Sequence, residues 1–209
     1  MKPAVIFAGG CMDSDDFFRS LKREDWLVVC ADSGYHHALR LGIVPDMIIG
    51  DCDSTDIPYP KEIPCRIYPP QKDKTDTGLC LDWAISKGCS EVLILGGLGG
   101  RLDHEFCNFN LLLYGLNRGV TVRLINGQNE IFMRNKPFTL TPGDKKYVSF
   151  FPYGGEVKGF TIKGLKYEIA SADLSCDTDL TVSNEFLPGK KGEISFQSGN
   201  VLVILSQDI

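Results

Sequence analysis

The hydrophobic pattern changes period once, near Asn126, and that change constrains the fold more than any other feature of the chain. Up to that point short apolar runs stand at 4–8, 26–31, 47–49, 65–68, 92–95 and 120–125. Between most of them apolar residues recur at helical spacing, over 14–22, 35–41, 77–87 and 102–118. Strand–helix alternation predicts right-handed crossovers and a parallel sheet. Gly88 and Gly119 mark the stops of the last two helices. Beyond Asn126 the runs shorten, to 130–134, 138–140, 147–151, 156–162, 179–182, 193–197 and 201–205, with Pro, Gly, Asn and Asp between them. A hairpin is expected over 196–204, turning at Ser198-Gly199-Asn200. The expected fold is α/β: a parallel-sheet three-layer α/β/α domain over 1–128, then a small antiparallel β-sandwich over 129–209. The join falls within 126–136.

Length and charge narrow the function classes. A chain of 209 residues can bury a full core. Its net charge of −5 argues against a general nucleic-acid binder, which carries a basic face. The eight cysteines contain no Cys-x-x-Cys pair, and several sit inside apolar runs, as Cys30 and Cys80 do. The apolar run after Met1 is too short for a signal peptide, and no stretch approaches a membrane span. The expected setting is a reducing cytoplasm.

The chemistry-bearing residues fall at strand ends and helix starts. Gly50-Asp51-Cys52-Asp53-Ser54 closes the run 47–49. Parallel strands present their C-terminal ends to ligands, and two hard oxygen donors on one turn suit Mg²⁺ with phosphates. Loop capping is the alternative for a short Asp-x-Asp. Three further acidic clusters are predicted on the same edge: Asp32 after 26–31, Asp73 and Asp76 at the start of the helix after 65–68, and Asp103 after 92–95. Capping explains each singly, but their convergence calls for a cation. Opposite them, Gly96-Gly97-Leu98-Gly99-Gly100-Arg101 joins a strand to a helix, where backbone N–H groups and a guanidinium suit phosphate. Lys72 and Lys74 stand beside the acidic cluster and suit the same anion.

Other apparatus is missing from the sequence. No Gly-x-x-x-x-Gly-Lys-Ser/Thr occurs, and the glycine run lacks the third glycine and the acidic ribose ligand of a dinucleotide fingerprint. There is no Gly-x-Ser-x-Gly elbow and no His/Cys spacing for zinc. His36 and His37 are expected on a helix surface, while His104 can reach a ligand beside Asp103.

Taken in order, Ala31-Asp32-Ser33-Gly34, Gly50-Asp51-Cys52-Asp53-Ser54, Lys72-Asp73-Lys74-Thr75-Asp76-Thr77 and Gly99-Gly100-Arg101-Leu102-Asp103-His104 resemble the thiamine pyrophosphokinase family. Gly164-Leu165-Lys166-Tyr167 and Val182-Ser183-Asn184-Glu185 look like the motifs of that family's second domain. Tyr167 stands where a Trp is often found, and Ser33-Gly34-Tyr35-His36 and Gly78-Leu79-Cys80 are further departures. The resemblance implies transfer of pyrophosphate from ATP to the hydroxyethyl oxygen of thiamine, with Mg²⁺, in a homodimer. It implies Asp51, Asp53 and Asp76 as metal ligands, with Asp32 close by as a ligand or orienting group. Asp76 or Asp53 would take the alcohol proton. Lys72, Asp73, Thr75, Gly99, Gly100 and Arg101 would hold the nucleotide, and Asp103 would orient Arg101 or touch substrate. Ser183, Asn184 and His104 would contact thiamine, and Tyr167 would either stack on it or pack in the β-domain core. A different Mg²⁺-dependent transferase or hydrolase, and a nucleotide sensor without turnover, are the competing classes.

Overall fold

The computed structural model describes residues 2–21, 25–51 and 58–208. The chain divides into two compact units, Met1–Gly127 and Gln128–Ile209. No described helix is long and apolar enough to cross a membrane.

The first unit is a sheet of six parallel strands: β1 Ala4–Phe7, β2 Leu27–Ala31, β3 Met47–Gly50, β4 Cys65–Ile67, β5 Glu91–Leu95 and β6 Thr121–Ile125. Among the described residues four α-helices accompany them: α1 Asp15–Leu21, α2 Tyr35–Arg40, α3 Asp76–Ser86 and α4 Leu102–Leu116. Val5, Phe7, Cys30, Ile48, Leu93 and Leu95 face Phe18 of α1 and Tyr35 and Ala38 of α2. The neighbouring helices α3 and α4 cover the other side. A strand buried on both faces reads as a continuous apolar run, and β1 is wholly inaccessible along its length. Each large side chain so buried contributes about 1.5–3 kcal/mol. α3 stops when Gly88 N–H binds Ile85 O and Cys89 N–H binds Ala84 O, and Gly119 and Val120 close α4 on Leu116 and Gly115 in the same way.

Strand order positions the site. The order is β6-β5-β1-β2-β3-β4, so the chain leaves β1 in one direction through β4 and returns to its other side with β5. Beyond the C-terminal ends of β1 and β5 the strand order reverses, which is where open α/β sheets bind ligands.

The second unit is antiparallel. One sheet has the order β12-β9-β14-β7, with β7 Asn129–Arg134, β9 Tyr147–Pro152, β12 Asn184–Glu185 and β14 Val201–Ser206. The other has the order β11-β10-β13-β8, with β8 Phe138–Leu140, β10 Val157–Lys163, β11 Ile169–Leu174 and β13 Gly192–Ser195. Phe132, Val148, Phe150 and Val203 of the first sheet share one core with Phe160, Ile162, Leu174 and Ile194 of the second. The Phe150 and Phe160 rings lie 5.5 Å apart.

Two sequence expectations fail in this unit. The stretch 196–204 is not a hairpin: β13 pairs with β10 and β8, while β14 pairs with β7 and β9. Ser198-Gly199-Asn200 instead carries the chain from one sheet to the other, with Phe196 buried on the way. The run 179–182 is a turn, not a strand, and leaves Leu180 and Val182 exposed. The strand in that region is β11, whose sequence IASADL is weakly apolar and whose pairing with β10 is interrupted by register shifts.

Candidate functional site

A cleft of about 670 Å³ opens in the first unit, within the size range of small-molecule sites. Its wall is built from the loops after β1 and β5, the end of β2, Asp51 after β3, and the approach to α3. The two glycine loops clasp each other: Gly10 N–H donates to Gly96 O at 3.0 Å. Gly96 has φ +70°, and a Cβ on it would come within 2.5 Å of Ala8 O, so only glycine fits.

The acidic wall begins with Asp32, which is 6% exposed and has φ +45°. A non-glycine residue in the left-handed region stores strain of about 1–3 kcal/mol, and such residues cluster at functional sites. Asp32 Oδ1 accepts a hydrogen bond from Tyr59 Oη at 3.0 Å. Gly50 permits the approach of β3, since a Cβ there would meet Asp32 Cβ at 2.7 Å. Lys72 Nζ lies between two more carboxylates, 3.1 Å from Asp51 Oδ2 and 2.9 Å from Asp76 Oδ1. The second contact is an ion pair, and apart from it Asp76 Oδ1 is buried without a polar partner.

Burial and charge pull the protonation of this group in opposite directions. Burial pulls the Lys72 ammonium down, but its contacts with Asp76 and Asp51 outweigh that and raise it above its usual value. Burial pushes the Asp76 carboxyl up; Lys72 opposes the shift, and the charges of Asp51 and Asp32 add to it. A carboxylate cluster whose buried Asp76 oxygen has Lys72 as its charge partner, and which raises one of its own members, fits a divalent cation. Among the described residues no three His, Cys, Asp or Glu side chains are drawn together as a complete ligand set. Mg²⁺ does not need one, because it is held by one or two carboxylates together with phosphates and waters.

The opposite wall is the glycine loop and the start of α4. Asn108 is 7% exposed and donates from Nδ2 to Gly97 O at 2.9 Å, which latches the loop to the helix. Gly100 N–H donates to Glu105 Oε1 at 2.6 Å. Arg101 Nε and Nη2 donate to Asp103 at 3.1 and 2.6 Å. Those bonds hold the Asp103 carboxyl below its ordinary value.

The structure brings Asp32, Asp51, Lys72, Asp73, Thr75, Asp76, Gly100, Arg101 and His104 to the cleft. Thr75 also caps α3, its Oγ1 accepting from Gly78 N–H at 3.1 Å. Gly99 and Asp103 lie outside the lining, Asp103 being paired with Arg101, which lines it. Asp53 lies outside the described residues. Lys74 lines the cleft but is held by Asp82 and by Tyr114 Oη, the latter at 2.9 Å. His37, expected on a helix surface, is engaged with the loop after β1: its Nε2 stands 2.8 Å from Gly10 O.

In the second unit Asn184 is buried, and its side chain is committed to Tyr167. Oδ1 accepts from Tyr167 N–H at 3.0 Å, and Nδ2 donates to Tyr167 O at 2.7 Å. Tyr167 is 57% exposed, so it is not a core residue, and Lys166 Nζ lies 5.3 Å from its ring. Ser183 is exposed with φ +57°, and its N–H donates to Ser149 Oγ at 2.9 Å.

Several site residues escaped the sequence reading: Gly9 and Gly10, Tyr59, Glu105 and Asn108. One usable signal was present. Arg101, His104, Glu105 and Asn108 recur at helical spacing, a polar stripe on one face of α4. Tyr59 sits in an irregular segment and gives no such sign.

Comparison with known proteins places this geometry. Residues 18–124 match the family model "Thiamin pyrophosphokinase, catalytic domain", and residues 137–201 match "Thiamin pyrophosphokinase, vitamin B1 binding domain". A curated thiamine pyrophosphokinase of Bacillus subtilis is 32% identical over the full length of both chains. The crystal structure of thiamine pyrophosphokinase from Bacillus subtilis superposes with a TM-score of 0.89 at 30% identity, covering 100% of each chain. That of the Geobacillus thermodenitrificans enzyme gives 0.85 at 30% identity, covering 100% of this chain and 98% of the other. The fold that carries the cleft is therefore a known enzyme fold, and the chain belongs to the thiamin pyrophosphokinase family.

Proposed function

We propose that this enzyme transfers the pyrophosphoryl group of ATP to thiamine with the help of Mg²⁺, and that it does so as a cytoplasmic homodimer. The observation that carries the reading is one cleft with two walls of opposite character, a carboxylate cluster facing a glycine–arginine loop.

The reaction is a displacement at the β-phosphorus of ATP. The hydroxyethyl oxygen of thiamine forms the new P–O bond, the bond from the β-phosphorus to the bridging oxygen breaks, and AMP leaves with that oxygen. The alcohol proton passes to a carboxylate, Asp76 or Asp53. Little covalent chemistry falls to the protein, so positioning and charge neutralisation dominate. Gly100 N–H, Arg101 and Lys72 hold the phosphates. Asp51 and Asp76, with Asp32 close by, would hold the cation, as the family resemblance also implies for Asp53, and the cation would supply positive charge to the phosphate oxygens. Asp73 and Thr75 line the cleft where they would meet the nucleotide, and Thr75 also caps α3. In the second unit, Asn184 sets the backbone of Tyr167, whose exposed ring, with Ser183, offers a face for the thiamine cation.

The test is product analysis of a mixture of protein, thiamine, ATP and Mg²⁺. Thiamine diphosphate and AMP are expected in equal amounts. ADP with thiamine monophosphate would mean ordinary phosphoryl transfer and would overturn the reading, as would nucleotide turnover that ignores thiamine.

A further inference from the structure

The Lys72 ammonium bridges Asp51 and Asp76, the two described carboxylates to which the reading above assigns a cation, and its side chain is only 12% exposed. Lys74, two residues on, is engaged elsewhere: its Nζ pairs with Asp82 and Tyr114 across α3 and α4, and its side chain is 41% exposed. So one lysine of the pair is the charge partner of the acidic wall, and the other is a staple between helices.

We infer that Lys72 is a resident counter-ion, which a divalent cation must displace from Asp51 and Asp76, and which then turns to the incoming phosphates. The inference rests on the assignment of those two carboxylates to the cation. The physical argument is charge conservation in a partly buried site. Two carboxylates with Asp32 behind them repel one another, and an unpaired buried charge is costly. Lys72 removes that cost when it sits between them. An ion ligated by the same oxygens removes it too, and the two cations repel each other. Metal and Lys72 are therefore alternatives at the carboxylates. The freed ammonium has a new partner only if a phosphate arrives with the metal, which couples cation binding to nucleotide binding. The protein thereby favours the metal–nucleotide complex over the free ion.

Manganese(II) is the probe, with no nucleotide or thiamine present, and free ion is read by electron paramagnetic resonance. Lys72→Gln keeps a hydrogen-bond donor but removes the charge, so it should bind Mn²⁺ about tenfold more tightly than the unmodified protein. Lys74→Gln should bind as the unmodified protein does, and so should Lys72→Arg. Thermal unfolding in a chelator should show Lys72→Gln melting lower, with a larger upward shift on adding Mn²⁺. Equal or weaker Mn²⁺ binding by Lys72→Gln overturns the inference. So does an equal gain in Lys72→Arg, or a Lys72→Gln protein that stays unfolded with millimolar Mn²⁺. The product assay separates the two levels: thiamine diphosphate from the unmodified protein sustains the reaction even where Lys72→Gln gains no affinity for the ion.

Discussion

Glu105 Oε1 accepts a hydrogen bond from the Gly100 N–H at 2.6 Å, so a carboxylate of α4 covers one amide of the glycine loop. That amide belongs to the wall assigned to phosphate in the proposed reaction, and a phosphate oxygen reaching it must displace Glu105. Glu105→Gln keeps the side-chain shape and a weaker acceptor but removes one negative charge beside the anion. The expected outcome is a Michaelis constant for ATP lower by about threefold to tenfold, with the fold unchanged. A raised constant would show that the carboxylate is needed to shape the loop.

Asn108 holds the same loop from the other side through Gly97 O, and both groups are out of water. Asn108→Ala leaves a buried carbonyl unpaired, a loss of about 1–3 kcal/mol. The melting temperature should fall, and kcat/KM should fall further than stability alone explains, because the loop positions reacting groups. Calorimetry and steady-state kinetics on one preparation check both.

Tyr59→Phe removes only the hydroxyl that donates to Asp32 Oδ1. The expected loss of stability is about 1 kcal/mol, and kcat should drop several-fold because Asp32 loses its fixed orientation. A variant with full kcat would limit Tyr59 to packing against Tyr35, whose ring centroid lies 5.5 Å away.

A loss of stability at low pH is expected from His37, which meets the loop after β1. Its Nε2 must carry a proton to donate to Gly10 O. Burial lowers its pKa below the ordinary 6.5, the Gly10 carbonyl opposes that shift, and the charges of Arg40 and His36 add to it. A histidine lowered on folding is held neutral by the native state. Its contribution is present above the unfolded value and is lost as pH falls below about 6.5 toward the lower folded value. Urea unfolding at about pH 7.5 and about pH 5.5 should show a loss of stability that His37→Gln reduces.

How much of this was visible in the sequence differs between the two units. Strands such as EVLIL in β5 are buried on both faces, and their unbroken apolar runs were legible. Gly88 and Gly119 gave the helix stops because their backbone geometry is local. Strand order was not legible: β1 lies between β2 and β5 through contacts distant in sequence, and that order alone makes the cleft. The same limit applies to Lys72 and Lys74, which look equivalent two residues apart and face different partners. In the second unit the bulged edge strand β11 carries too little apolar alternation to register, whereas the exposed Leu180 and Val182 imitate a strand.

Asp76 separates a capping role from a chemical one. Its position at the start of α3 would satisfy a helix dipole, in which case neutralising it should destabilise the protein slightly. Its carboxyl is raised above the usual value by burial, against the pull of Lys72, and Asp51 and Asp32 add to the rise. A carboxylate raised on folding makes the charged form a net burden at neutral pH, since the native state holds the proton more tightly than the unfolded chain. Asp76→Asn removes that burden while keeping the shape, and Lys72 retains Asp51 as a partner. The expected protein is as stable as the unmodified one or more so at pH 7, yet loses activity by about two orders of magnitude or more. Melting temperature and the rate of thiamine-dependent AMP release, measured side by side, give the answer. A destabilised variant with near-normal turnover would return Asp76 to the role of a helix cap, and stability without turnover assigns it to the reaction.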